Sequence, residues 1–143
     1  MGIPVHLNSV ICSWNWQEDL SPLVRRINPQ VWKVFQFLPV PGQNDAGIVG
    51  LSITAEQFGG FLARHRQFER IWAPEDNDLM RGSYAMIDPL GRFFQSGPEG
   101  YVRGQHSILE VGVERALAEI PFDRNKYYAR GGDARAFGGR RIA

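Results

Sequence analysis

The sequence predicts an α/β protein with a mixed sheet, parallel in its first part and antiparallel later. Three observations carry this. An alternating strand, a short helix of 3.6-residue period and an apolar run follow one another over residues 5 to 40, an order that favours parallel pairing through a crossover. Two later stretches open on capping-box patterns, Thr54 with Gln57 and Ser107 with Glu110, which mark helix starts. Between them, Asp88-Pro89-Leu90-Gly91 places Asp, Pro and Gly where a type I turn wants them, so the flanking strands pair antiparallel.

In chain order, VHLNSVI sets Val5, Leu7, Ser9 and Ile11 on one side and His6, Asn8 and Val10 on the other, a strand with one apolar face. Leu20, Leu23, Val24 and Ile27 then recur on one face of a helix, with Pro22 tolerable in its first turn and Asn28-Pro29 ending it. VWKVFQFLPV reads as a central strand that stops at Pro39. Residues 41 to 52 are glycine-rich and read as a loop. In the helix after Thr54, Ile53 and Phe58 stand at the spacing of a hydrophobic staple, Phe58, Phe61, Leu62 and Phe68 supply the buried stripe, and Gly59 and Gly60 either weaken it or permit close packing. Residues 83 to 88 and 92 to 96 form the hairpin. From Ser107 a single helix is expected, with Leu109, Val113, Ala116, Leu117 and Ile120 facing the core until Pro121.

At 143 residues the chain reads as one domain, residues 1–143, long enough to bury about 68–70% of the surface its unfolded form exposes. No apolar run approaches the length of a membrane span, and the N-terminus lacks a secretory pattern, so a cytoplasmic protein is expected. Charge is uneven. Residues 124–143 carry Arg124, Lys126, Arg130, Arg135, Arg140 and Arg141 against Asp133, a net +5, and since the whole chain is +1 the rest is −4. That segment reads as a basic, flexible tail, suited either to an anionic ligand or to plain solvation.

Cys12 is the one cysteine, which excludes an intramolecular disulfide, a Cys-only zinc site and an iron–sulfur cluster held by this chain's own thiolates. It reads as a small buried hydrophobe. No phosphate loop, nucleophile elbow or dinucleotide fingerprint is present. The informative polar residues are His6, Asn8 and Lys33, which parallel pairing of the first two strands would bring together. Lys33 shares its strand face with Val31 and Phe35, where an unpaired ammonium is costly; it is either an anion ligand or an edge lysine reaching for solvent. His6 reads as a structural histidine or a ligand, and His65 and His106 as surface residues. Trp14 and Trp16 read as core or interface packing, with base stacking the weaker alternative. Glu18, Asp19, Glu75, Asp76 and Asp78 suit helix starts and loops rather than paired catalytic carboxylates.

The segments LNSVI, EDL, NPQVWKVFQ, FLARH, SYAMID, RFF, SILEVGVERA, FD and RGG stand in an order and spacing that resembles the C-terminal half of viperin-like radical S-adenosylmethionine proteins, over nearly the whole chain. The resemblance implies the C-terminal part of a partial (β/α) barrel in which the strands of residues 3 to 12 and 31 to 40 face a ribonucleoside triphosphate. It assigns nucleotide- and phosphate-binding roles to Asn8, Lys33 and His6, and to Arg130, Gly131 and Gly132 of a segment lying over the nucleotide. A cation on such a wall neutralises phosphate oxygens.

Three departures qualify the carry-over. The family's CxxxCxxC cluster motif and its adenosylmethionine-binding segment have no counterpart here, position 6 is His where the family usually has lysine, and position 31 is Val where it often has arginine. Each missing charge-assisted hydrogen bond is worth about 1.5–3 kcal/mol. The chain is therefore expected to be a truncated or split viperin-like C-terminal domain, not catalytically competent alone, with no catalytic or metal residues of its own. Iron–sulfur cluster and S-adenosylmethionine enter only if a complementary N-terminal half supplies their sites. The expected partners are a second copy or that half, and a ribonucleoside triphosphate, with no membrane. The alternative is a repurposed nucleotide- or protein-binding module.

Overall fold

A computed structural model describes residues 3–131. Its first sheet is built from β1 (His6–Ile11), β2 (Val31–Gln36) and β3 (Trp72–Glu75) in the order β1-β2-β3. Both pairings are parallel, with His6 opposite Val31 and Asn8 opposite Lys33 in the first, and Ala73 opposite Lys33 in the second. Helices α1 (Ser21–Ile27) and α3 (Ala55–Arg64) connect these strands and contribute to its core. Asn28 ends α1 in the left-handed conformation with φ of 50°, tolerable for asparagine because its short polar side chain bonds locally.

The alternation read from the sequence decides which face is covered. Leu7 and Ile11 of β1 and Trp32 and Val34 of β2 join Val24, Ile53, Phe58 and Phe61 in one apolar cluster. Trp32 is its centre, fully buried, edge-on to the Phe61 and Phe68 rings, with its indole N–H donating to Ser9 Oγ at 2.9 Å. The capping box that starts α3 is complete: Gln57 N–H donates to Thr54 Oγ1 and Thr54 N–H to Gln57 Oε1. Ile53 and Phe58, the staple pair, are both buried.

A second sheet, order β4-β5-β6, is antiparallel: β4 (Met86–Ile87), β5 (Arg92–Gly97) and β6 (Gly100–Ser107). The Asp88–Gly91 turn closes with Gly91 N–H on Asp88 O at 2.9 Å, and Gly91 takes φ of 77°. Phe93 packs here with Ala116 and Ile120.

Several expectations need correction. The parallel and antiparallel strands form two sheets, not one mixed sheet. Within the expected loop 41–52 lies α2 (Asp45–Leu51), whose two glycines weaken the helix signal. Strands β3 and β6 were not legible, β3 being four residues long and containing Pro74, which an edge strand tolerates. The helix expected from Ser107 is two, α5 (Ile108–Val111) and α6 (Val113–Ala118), divided at Gly112 with φ of 81°. The break changes the helical phase between Leu109, which is exposed, and Ala116 and Ile120, which are buried; Val113, the first residue of α6, is exposed as well. Helix α4 (Asn77–Met80) follows β3, and α7 (Arg124–Ala129) starts at Asp123, whose carboxylate accepts from Lys126 N–H.

Three side chains also sit elsewhere than expected. His65 is fully buried: Leu20 N–H donates to its Nε2 at 2.9 Å, Nδ1 lies 2.8 Å from Phe61 O, and its ring stacks on Phe61. With Nε2 accepting, the ring hydrogen belongs on Nδ1. Cys12 is only half-buried. Trp14, read as core or interface packing, is exposed and so not part of the core. Glu75 is not a loop carboxylate; it is fully buried on β3.

Candidate functional site

The face of the parallel sheet turned away from α1 and α3 carries His6, Asn8 and Val10 from β1, Val31, Lys33 and Phe35 from β2, and Ala73 and Glu75 from β3, because alternate residues share a face and the strands are in register. It is open over β1, where His6, Asn8 and Val10 are exposed. Neither the His6 ring nor the Asn8 amide bonds to any described residue. Parallel sheets normally have both faces covered, so an open face bearing free polar groups stands out. His6 and Val31 are register partners on it.

Towards β3 the face closes over a charged cluster. The Lys33 ammonium lies 3.0 Å from Glu75 Oε1 and 5.6 Å from the centre of the Phe35 ring. Its side chain keeps 24% exposure. Tyr84 OH donates to Glu75 Oε2 at 2.5 Å. Burial, reinforced by that hydrogen bond and by the Glu75 charge, holds the Tyr84 phenol well above its usual pKa. Arg130 comes in from the end of α7, its guanidinium 3.7 Å from the centre of the Tyr84 ring, 3.9 Å from Glu75 Oε2, and donating to Ser83 O at 2.9 Å. Two cations thus converge on one buried carboxylate, leaving the cluster at +1.

Of the residues singled out from the sequence, Asn8 and Lys33 are brought side by side, His6 lies on the same face, and Arg130 joins Lys33 through Glu75. Gly131 serves the end of α7: at φ of 80° its N–H donates to Tyr128 O, the left-handed helix cap for which glycine is suited. Gly132 and the rest of the basic tail lie outside the described residues. Sequence reading missed Glu75 and Tyr84. The unpaired Lys33 on an apolar face was the available signal, since it demanded an anion and Glu75 is that anion.

The site's residues do not fit an iron–sulfur cluster. The chain has one cysteine, and among the described residues no three His, Cys, Asp or Glu side chains stand together as metal ligands. A cleft of about 370 Å³ lies apart from this face, between α6 and the start of α7. No single helix among the described residues is long and apolar enough to cross a membrane.

No protein-family model matches the chain. Curated proteins do. It is 40% identical over 133 residues to an S-adenosylmethionine-dependent nucleotide dehydratase of Lacinutrix mariniflava, and 42% over 130 residues to one of Psychrobacter lutiphocae. It is 39% identical over 132 residues to the S-adenosylmethionine-dependent nucleotide dehydratase RSAD2 of Danio rerio. These matches take in 92%, 90% and 88% of this chain but 27%, 41% and 36% of the respective relatives. The chain therefore spans between about a quarter and two-fifths of the length of these relatives.

Proposed function

The chain is a viperin-like sequence, related over part of their length to the S-adenosylmethionine-dependent nucleotide dehydratases, and from that premise we propose that the open face of its parallel sheet is a binding wall for a ribonucleoside triphosphate. Lys33 and Asn8 are its centre, His6 extends it along β1, and Arg130 bounds it at β3. The observation that carries this reading is the register pairing of Asn8 with Lys33 on a face that is open over β1, where His6, Asn8 and Val10 are exposed. The ammonium supplies charge to phosphate oxygens, and the free Asn8 amide supplies a directed donor. Lys33 is held in place by Glu75, so little side-chain entropy is lost on binding.

In this reading the chain corresponds to the C-terminal part of a partial (β/α) barrel and works in the cytoplasm. It binds and orients the nucleotide; the cluster and S-adenosylmethionine are held by residues outside this chain, on a complementary polypeptide. The outer edge of β1 offers unpaired backbone groups to such a polypeptide. A nucleotide-binding module without turnover is the second reading, favoured by the absence of a fitting cluster site among these residues.

Isothermal titration with ribonucleoside triphosphates and monophosphates tests the wall. Triphosphates should bind and monophosphates bind much more weakly. Asn8→Ala, an exposed and unbonded position, should weaken binding about tenfold without changing the melting temperature, as expected for a lost hydrogen bond to a charged group. Absence of heat and of thermal shift with every triphosphate would remove the proposal. Addition of the remaining portion of a relative, reconstituted with iron, sulfide and S-adenosylmethionine, separates the two readings by whether dehydration appears.

A further inference from the structure

The apolar stripe that begins at Ser107 is split by the structure into a used half and an unused one. Ala116 and Ile120 are buried against Phe93. Leu109 is 93% exposed and Val113 58% exposed, on either side of Gly112, whose φ of 81° breaks the helix. Val113 also lines the 370 Å³ cleft, together with Leu117 and Phe122, and the charged residues there are Glu114 and Arg124. An adjoining hollow shares Val113 and Glu114 and adds Arg115. Glu114, Arg115 and Arg124 form no ion pair with any described residue.

We propose that this α5–α6 surface is a self-complementary docking face through which two copies of the chain pair. The two hollows carry apolar groups, Val113, Leu117 and Phe122, together with unpaired charges of both signs, Glu114, Arg115 and Arg124. A two-fold pairing brings the same patch onto itself, so Glu114 of one copy meets Arg115 or Arg124 of the other. A strongly acidic or strongly basic partner would satisfy one sign and repel the other. The face is separate from the sheet wall proposed above, so pairing leaves Asn8 and Lys33 open.

Sedimentation velocity of the full chain over a concentration series is the test. A species of twice the 16.2 kDa of one copy should grow in with concentration. Val113→Glu should raise the dimer dissociation constant about tenfold or more, as for truncation of a central apolar contact. Glu114→Arg and Arg124→Glu should each weaken pairing, and the double charge swap should restore it; all three side chains are on the surface, and the circular dichroism of the variants checks their folding. A monomer at every concentration overturns the proposal. So does a dimer indifferent to these variants, which would place pairing at the β1 edge or elsewhere. Because Val113→Glu leaves the sheet wall intact, titration of that variant with triphosphate reports on the binding wall independently.

Discussion

Glu75 shows how a single buried carboxylate organises the site. One oxygen takes the Lys33 ammonium, the other takes the Tyr84 hydroxyl and faces Arg130, so groups from β2, the loop before β4 and the end of α7 are tied to one strand. Lys33 was legible in the sequence as a cation in need of an anion; Glu75 was not, because nothing in WAPE distinguishes a buried strand carboxylate from a turn residue. Glu119 is a second organising carboxylate. It accepts the backbone N–H groups of Gln105 and His106 and lies 2.6 Å from His106 Nδ1. The His106 backbone N–H, then its ring, lower its pKa from 4.5 to about 2. A depressed carboxylate stabilises above its unfolded pKa and loses that contribution as pH falls through its folded one. Urea denaturation should therefore show Glu119→Gln less stable than the parent at pH 5, with the gap closing as pH drops from 4.5 towards 2. A gap that persists at pH 2 would show that the interaction is not ionic.

At the level of elements, glycine position separates what pattern reading could and could not settle. Gly59 and Gly60 sit inside α3 with no atom within 4 Å of where a Cβ would stand. They therefore weaken the helix and permit no close contact, which decides the alternative left open by the sequence. Gly112 has the same open surroundings but φ of 81°, a conformation in which an L side chain is strained. Alanine should thus act in opposite directions: Gly59→Ala stabilising by about 0.5–1 kcal/mol, Gly112→Ala destabilising by about 1–2 kcal/mol. Thermal denaturation of the two variants reads both signs. The caps of α3 and α5 were legible because a Ser or Thr with Gln or Glu three residues on is a local device. The division of α5 from α6 was not, since Gly112 lies in a window whose apolar spacing continues across it.

At the scale of the molecule, stability is concentrated where helices cover the parallel sheet. Phe61 is fully buried, stacks on His65 and meets Trp32 edge-on. Its loss opens a cavity that rigid neighbours cannot fill, so Phe61→Ala should cost about 3–5 kcal/mol in chemical denaturation; a loss below 1 kcal/mol would mean that this cluster is not the core. The second cluster around Phe93 is smaller, and polar contacts tie the strands and helices around it: Gln36 Oε1 on β2 accepts from Asn77 N–H at the start of α4, Gln95 Nε2 on β5 donates to Pro121 O, and Lys126 of α7 pairs with Asp78 of α4. The opposite face of the parallel sheet takes no part in that core. In the reading proposed above, its open part over β1 is where a ligand or a completing polypeptide binds.

Periodicity, caps and turn chemistry were enough to establish the parallel start, the antiparallel hairpin and the residues on each strand face, because those signals act over a few residues. The order and spacing of whole segments were enough to reach the viperin-like relatives. Only the folded chain decided that Glu75 answers Lys33, that Arg130 returns to the same carboxylate, that His65 is buried and that Leu109 and Val113 are not. The first three depend on groups between 42 and 55 residues apart along the chain meeting in space, and the place of Leu109 on one backbone angle at Gly112, neither of which local pattern encodes.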